Sequence, residues 1–277
     1  MSVLDNKKIS FVGGGNMAQA LISGLVSCGI KPSLITVADP SGDAREQLAA
    51  KGLNTVDPTA NPTAAITDAD IVVLAVKPQV MKPVVSAFAD VLDKQLVISV
   101  AAGLSTDILS GMLGGYRNIV RAMPNTPAMI QMGATGLYGT DDISTEQKQL
   151  ATAVMEASGL VMWVDDEEHM HAVTAVSGSA PAYVFYFIES MIDGAVALGL
   201  DKEQASALAM QTMLGAAKMA KDSDDTPSEL RRKVTSPNGT TQAAIESMQA
   251  NDIGRQIAEA MKACSDRSQA LSEEMSE

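Results

Sequence analysis

The chain has little of what several function classes require. It holds two cysteines, Cys28 and Cys264, and two histidines, His169 and His171, in 277 residues. Two distant cysteines cannot build a disulfide framework, and each sits in a helical pattern as a small apolar filler, which fits a reducing, cytoplasmic setting. Two histidines spaced i,i+2 point to different faces of a helix, so they are not a metal pair and no metal site is expected. Aromatic residues make up only 3% of the chain. The formal charge is −13 and no Lys/Arg cluster could neutralise phosphates in number, which argues against a nucleic-acid partner. No run approaches the roughly 18 apolar residues of a membrane span, and Met1–Lys8 has no apolar leader core. No Gly-x-Ser-x-Gly elbow precedes a helix, so a serine hydrolase is not indicated.

What remains is a chain with 46% hydrophobic residues, its core drawn from Ala, Val, Leu, Ile and 17 Met. That length suits two domains. Ile9–Val12 reads as a short buried strand. Gly13, Gly14 and Gly15 follow, and Asn16-Met17-Ala18 opens an apolar helical pattern that runs to Val26. Gly13, Gly15 and Ala18 fit G-x-G-x-x-A. Here the first glycine makes a tight turn, the second lets a pyrophosphate reach the backbone, and the small third residue packs helix on strand. Phosphates would lie at the helix N-terminus.

Further strands are expected at Leu34–Ala38, Ile71–Val76, Leu96–Val100, Asn118–Met123, Gly133–Tyr138 and Leu160–Val164, with helices between them. Asn61-Pro62 reads as a helix start. Asp39 stands at the tip of the second strand, where an acidic residue favours the ribose hydroxyls of NAD(H). Ser41 and Arg45 follow at once, and an arginine there can accept the 2′-phosphate of NADP(H), so the two readings oppose each other. Other strand tips leave Ala75-Val76-Lys77-Pro78, Ala101-Ala102-Gly103 and Pro124-Asn125-Thr126-Pro127 at the ligand-binding edge of the sheet.

From Asp165 onward every signal is helical. A boundary is therefore expected between a sheet domain, 1–164, and a helical domain, 165–277. Asp165–Glu168 reads as carboxylates at a helix start. Tyr183–Leu198 is apolar nearly all round, which implies burial against a second subunit. Ser236-Pro237-Asn238-Gly239-Thr240-Thr241 precedes a helix, and its backbone N–H groups would bind a carboxylate without a basic side chain. Thr240 and Thr241 can donate hydrogen bonds or serve as caps. No lysine lies on Tyr183–Leu198, which argues against a β-hydroxyacid dehydrogenase, since alcohol oxidation needs a base. A redox sensor that binds cofactor without turnover is a further reading, and the carboxylate-shaped loop argues against it.

Taken in order, the segments from Val12 to Met17, Ala75 to Pro78, Ala101 to Gly103, Arg121 to Pro127, Ser177 to Tyr183 and Ser236 to Thr241 resemble the Δ1-pyrroline-5-carboxylate reductase family, from Ile9 to about Leu271. The resemblance implies an α/β fold, a Rossmann-type doubly wound parallel sheet followed by an all-α dimerisation domain. It implies hydride transfer from NADPH (or NADH) to the C=N bond of a small imino acid, giving L-proline, in a homodimer or higher homo-oligomer. Carried over residue by residue, Thr241 would donate a hydrogen bond to the ring nitrogen. Glu167, Ser236, Gly239 and Thr240 would join Thr241 around the substrate. Val12, Gly13, Gly14, Gly15, Asn16, Met17, Asp39, Ser41, Ala75, Val76, Lys77, Pro78, Ala101, Ala102, Gly103 and Asn125 would hold the cofactor. Two positions depart from the family pattern. Asn238 replaces a glycine, at a site where Asn tolerates positive φ. Asp39 replaces the usual Ser or Thr.

Overall fold

The computed structural model describes residues 3–276. Its centre is an eight-stranded sheet in the order β3-β2-β1-β4-β5-β6-β7-β8. β1 (Ile9–Val12) leads into α1 (Asn16–Ser27), β2 (Ile35–Ala38) into α2 (Gly42–Ala49), and β3 (Asn54–Val56) forms the first edge. The chain then crosses back to β4 (Ile71–Leu74) and continues through α3 (Pro78–Ser86), β5 (Leu96–Ser99), α4 (Thr106–Met112) and β6 (Ile119–Met123). β7 (Gly133–Gly139) runs antiparallel to β6; α5 (Thr145–Glu156) then returns the chain to β8 (Gly159–Trp163), parallel to β7.

The central strands are buried on both faces, which is why they read as unbroken apolar runs. Ile9, Phe11, Ile71, Val73 and Ile98 point to one face and pack with Leu21 and Leu25 of α1 and Val154 of α5. Val12, Val72, Leu74 and Val97 point to the other and pack with Met81, Val85 and Leu109. The odd and even positions of each strand thus make two separate cores, as the two-residue period of a strand requires.

Asn61-Pro62 does not start a helix. The Asn61 side chain accepts from the Thr63 N–H (3.2 Å) and O–H (3.1 Å), an Asx turn that competes with the helical backbone. Ala65 and Ile66 are buried from a succession of turns instead.

The remaining elements are α6 (His169–Val173), a π-helical turn over Thr174–Gly178, α7 (Ala180–Ala197), α8 (Lys202–Asp222), α9 (Pro227–Lys233), α10 (Thr240–Ala250) and α11 (Ile253–Ser276). The chain divides into two compact units. One holds everything up to Ser179 together with the chain from Cys264; the other is Ala180–Ala263. The sheet unit thus runs past Val164 and takes in α6 and the π-turn. Polar bonds tie this stretch down: the Asn125 amide donates to the Ser177 carbonyl at 3.0 Å, and His171 Nδ1 lies 2.9 Å from Ser268 Oγ on α11.

In the second unit α7 packs along α8. Thr226 and Glu229 form a reciprocal capping box for α9, and Asp201 accepts from the Gln204 N–H to cap α8. α7 has no buried residue, and Phe185 and Tyr186 are 64% and 68% exposed.

Candidate functional site

The strand order reverses between β1 and β4, and ligands of open α/β sheets bind at the carboxyl ends beside such a reversal. Gly13 makes the turn there with φ +98°. A Cβ would come 2.9 Å from the Ala75 carbonyl oxygen and 3.0 Å from a Val76 methyl, so only glycine fits. Gly15, by contrast, has nothing within 4 Å of where its Cβ would be, and it forms the N-cap of α1 with no side chain satisfying the first-turn N–H groups. Gly15 and Asn16 are exposed, and Met17 is half-buried. Open space over uncapped N–H groups at the positive end of a twelve-residue helix suits a pyrophosphate.

Beside this turn lies a cavity of about 280 Å³, lined by Pro40, Pro58, Pro62, Ile66, Val84 and Phe88 among others. Its walls are apolar and suit a flat base. A larger cavity of about 780 Å³ touches Lys7, Asp70, Gln95 and Asn118. Those residues lie at the amino ends of the strands, the wrong edge for this chemistry.

The Asp39 carboxylate accepts from the Gly14 N–H (2.8 Å) and from the Ser41 N–H (2.9 Å). It therefore links the glycine turn to the start of α2, where the Ser41 hydroxyl caps Ala44 N–H. Ala75 and Val76 leave β4 half-buried, and Lys77 and Pro78 open α3. Ala101 and Gly103 are buried while Ala102 is exposed. Gly103 has φ +79°, a backbone that favours glycine, and lies beside Leu271 of α11. The nucleotide residues expected from the sequence are therefore gathered along one edge of the sheet.

Two expected residues are otherwise engaged. Asn125 is buried, and both ends of its amide are used: it donates to Ser177 O and accepts from the Ala134 N–H at 2.9 Å. Its side chain braces the loop after β6. Glu167 does not cap α6. Its Oε1 accepts from the Thr106 N–H (2.8 Å) and from Arg121 Nη1 (3.0 Å), and its Oε2 accepts from the Thr106 hydroxyl (2.6 Å). Both carboxylate oxygens thus face the protein. Thr106 was not singled out from the sequence, and Arg121 and the buried His171 were named there without this role. An arginine inside the apolar run Ile119–Met123 was the available signal, because a buried guanidinium requires a partner. Burial and the nearby Arg121 charge push His171 below the ordinary histidine range.

In the second unit, Ser236, Gly239, Thr240 and Thr241 lie together at the start of α10. Asn238 adopts φ +58°, as the departure from glycine there allows. Gly239 is the N-cap, and no side chain caps the helix. The two threonines occupy the first turn with exposed hydroxyls and do not act as caps. Gly239 N–H is bonded to Ser236 O (3.1 Å), and Asn238 N–H to the Gln242 side chain (2.6 Å), which shapes the loop. An open amino end with two adjacent hydroxyls is suited to a small carboxylate.

Comparison with known proteins converges on one family. Residues 167–271 match the family model described as pyrroline-5-carboxylate reductase dimerisation, and residues 8–103 match that described as NADP oxidoreductase coenzyme F420-dependent. The pyrroline-5-carboxylate reductase of Pseudomonas aeruginosa is 46% identical over 98% of this chain and 99% of its own. The structure of a pyrroline-5-carboxylate reductase from Coxiella burnetii is 40% identical, covers 96% of this chain and 99% of its own, and superposes with a TM-score of 0.92. That of Plasmodium falciparum pyrroline carboxylate reductase with NADP bound is 30% identical over 96% of this chain and 98% of its own, with a TM-score of 0.83. With its sheet, its glycine turn and relatives that match over nearly the whole chain in agreement, this chain belongs to the pyrroline-5-carboxylate reductase family.

Proposed function

We infer that the chain reduces the C=N bond of 1-pyrroline-5-carboxylate to give L-proline, the last step of proline biosynthesis, using NADPH or NADH. The observation that carries this reading is that each unit holds an uncapped helix amino end, that of α1 in one and that of α10 in the other, each suited to an anion of a different ligand. The donor half is built in the sheet unit. The N–H groups of Gly15, Asn16 and Met17 would hold the pyrophosphate, Asp39 and Ser41 the adenosine ribose, and the edge formed by Val12–Gly14, Ala75–Pro78 and Ala101–Gly103 the rest of the cofactor. When bound, the nicotinamide supplies hydride.

The acceptor half is built in the second unit. The amino end of α10, from Ser236 to Thr240, would hold the substrate carboxylate. The Thr241 hydroxyl would donate to the ring nitrogen, where an electron pair gathers as the C=N carbon is reduced, so that bond strengthens toward the transition state. No general base is required, because reduction of an imine takes up a proton and removes none. Asn125 and Glu167 would act as braces that hold the loop after β6 and the start of α4, not as ligand contacts.

The dimerisation model over residues 167–271 supports a homo-oligomer. The exposed apolar residues of α7 would be covered by a second copy. Among the described residues no helix is long and apolar enough to cross a membrane. A cytoplasmic setting agrees with two free cysteines. Oxidation of NADH or NADPH by the purified protein, followed at 340 nm (roughly the absorption maximum of the reduced ring) with 1-pyrroline-5-carboxylate present, tests the reading. Absence of turnover with both cofactors would overturn it.

A further inference from the structure

The rim of the 280 Å³ cavity carries an unusual charge arrangement. Asp39 and Asp57 end the neighbouring strands β2 and β3, and each is followed by a proline, Pro40 or Pro58, that lines the cavity. The two tips are joined by the Asp39 N–H donating to Val56 O at 3.3 Å. Arg45, on α2, lies against both. Its Nη1 donates to the Asp39 carbonyl oxygen at 2.7 Å, and its Nη2 sits 3.0 Å from the Asp57 carboxylate. The other Asp57 oxygen accepts from the N–H (2.9 Å) and hydroxyl (2.6 Å) of Thr59, so the carboxylate is fixed in place.

Sequence reading leaves Asp39 and Arg45 in opposition, one favouring a ribose hydroxyl and the other a 2′-phosphate. The ion pair changes that balance. Between Ala38 and Ala50, and between Asn54 and Thr67, Arg45 is the only basic residue. Its charge is already met by Asp57, and one arm of the guanidinium is spent on a backbone carbonyl. A 2′-phosphate, carrying close to two negative charges, would meet the Asp39 carboxylate. To recruit Arg45 it would have to pull the guanidinium from Asp57 and leave that carboxylate unpaired beside it. A ribose hydroxyl meets no such conflict. The two Asp39 oxygens each accept one backbone N–H and each retain a further lone pair.

We propose that Asp57 is the specificity-determining residue for the cofactor: by holding Arg45 against the tips of β2 and β3 it withholds the one basic side chain of those two strand ends from a 2′-phosphate, so the chain prefers the dinucleotide that lacks one. The preference is one of degree, and both forms carry the same nicotinamide. The inference rests on a nicotinamide dinucleotide occupying this edge, as the proposed function requires.

The test is binding, not turnover. Dissociation constants of NAD+ and NADP+, and of the fragments 5′-AMP and 2′,5′-ADP, are measured by calorimetry on the full chain. NAD+ is expected to bind the unsubstituted protein at least about tenfold more tightly than NADP+. Asp57→Asn frees Arg45 and is expected to tighten NADP+ and 2′,5′-ADP by about tenfold, with NAD+ and 5′-AMP changed by less than about threefold. Adding Arg45→Ala to Asp57→Asn should abolish that gain. Arg45→Ala alone serves if Asp57→Asn fails to fold. It should leave the NADP+ to NAD+ ratio within about twofold, because the guanidinium is not serving a phosphate. The assignment is overturned if the unsubstituted protein binds NADP+ as tightly as NAD+, if Asp57→Asn leaves the ratio unchanged, or if Arg45→Ala alone weakens NADP+ selectively. Failure of both dinucleotides to bind would overturn the cofactor site itself, a different result from a reversed preference.

Discussion

Arg121 and Glu167 form an ion pair at 3.0 Å, with the arginine side chain 4% exposed and the glutamate 19%. The pair joins the interior of β6 to the turn before α6, and Thr106 completes the carboxylate's hydrogen bonds at the start of α4. Buried pairs of this kind fix one arrangement of segments that are distant in sequence, and losing one partner leaves the other charge uncompensated.

Glu167→Ala is therefore expected to destabilise the fold by about 3 kcal/mol, the low end of the range for a broken buried pair because the glutamate is partly wetted. Urea unfolding measures it. A bracing role also predicts that KM for the imino acid changes by less than about threefold relative to the accompanying loss in stability. A rise in KM of ten times or more with an unchanged unfolding midpoint would instead make Glu167 a substrate contact.

Two glycines of one turn should respond differently. Gly13→Ala forces a side chain into φ +98° and against the Ala75 carbonyl oxygen, and should cost about 1–3 kcal/mol of stability. Gly15→Ala meets nothing in the protein and should leave the unfolding midpoint unchanged, while cofactor affinity falls by about tenfold or more because the new methyl occupies the pyrophosphate's space. Thermal unfolding and cofactor titration on both variants separate the effects. Equal affinity for Gly15→Ala and the unsubstituted protein would move the pyrophosphate elsewhere.

His171 supplies a pH dependence of stability. Burial and Arg121 lower its folded-state pKa below the ordinary 6.5, opposed by Glu167 and Glu168. Between the lowered folded value and 6.5 the unfolded chain binds more protons than the folded one, so stability rises with pH through that window and is lost as pH falls below 6.5. The hydrogen bond to Ser268 on α11 is part of what protonation places at risk. Unfolding free energies measured from pH 7.5 down to 5 should show this decline, and His171→Gln should flatten it. An identical decline in that variant would assign the effect to other groups.

Legibility in the sequence followed burial and separation along the chain. β4 and β5 announce themselves because both faces are buried and every position but Ser99 is apolar. β3 does not: it is a three-residue edge strand that begins with the exposed Asn54. The glycine turn and the start of α10 are local motifs, formed by neighbours in the sequence, so their backbone shape is legible without the rest of the fold. Glu167 and Arg45 were visible as residues but not in their roles. Glu167 meets partners 46 and 61 positions away, and no run of neighbours encodes such a pair. Arg45 reads as a free cation until Asp57, on the next strand's tip, is seen beside it.

The Thr241 hydroxyl is exposed in the first turn of α10 and is expected to serve the ring nitrogen. Thr241→Ala should lower kcat/KM by a factor on the order of ten to a hundred, the loss of one hydrogen bond near developing charge. Thr241→Ser keeps the hydroxyl and should recover most of the rate. Steady-state kinetics with the imino acid varied decide the matter, and an unchanged kcat/KM for Thr241→Ala removes the residue from the mechanism.

The most direct measurement follows the hydride itself. The protein is supplied with nicotinamide cofactor deuterated at the transferring position and with 1-pyrroline-5-carboxylate, and the product is analysed by mass spectrometry and NMR. The account predicts L-proline with a single deuterium on the ring carbon that was doubly bonded to nitrogen. Unlabelled product, or no proline at all, would contradict it.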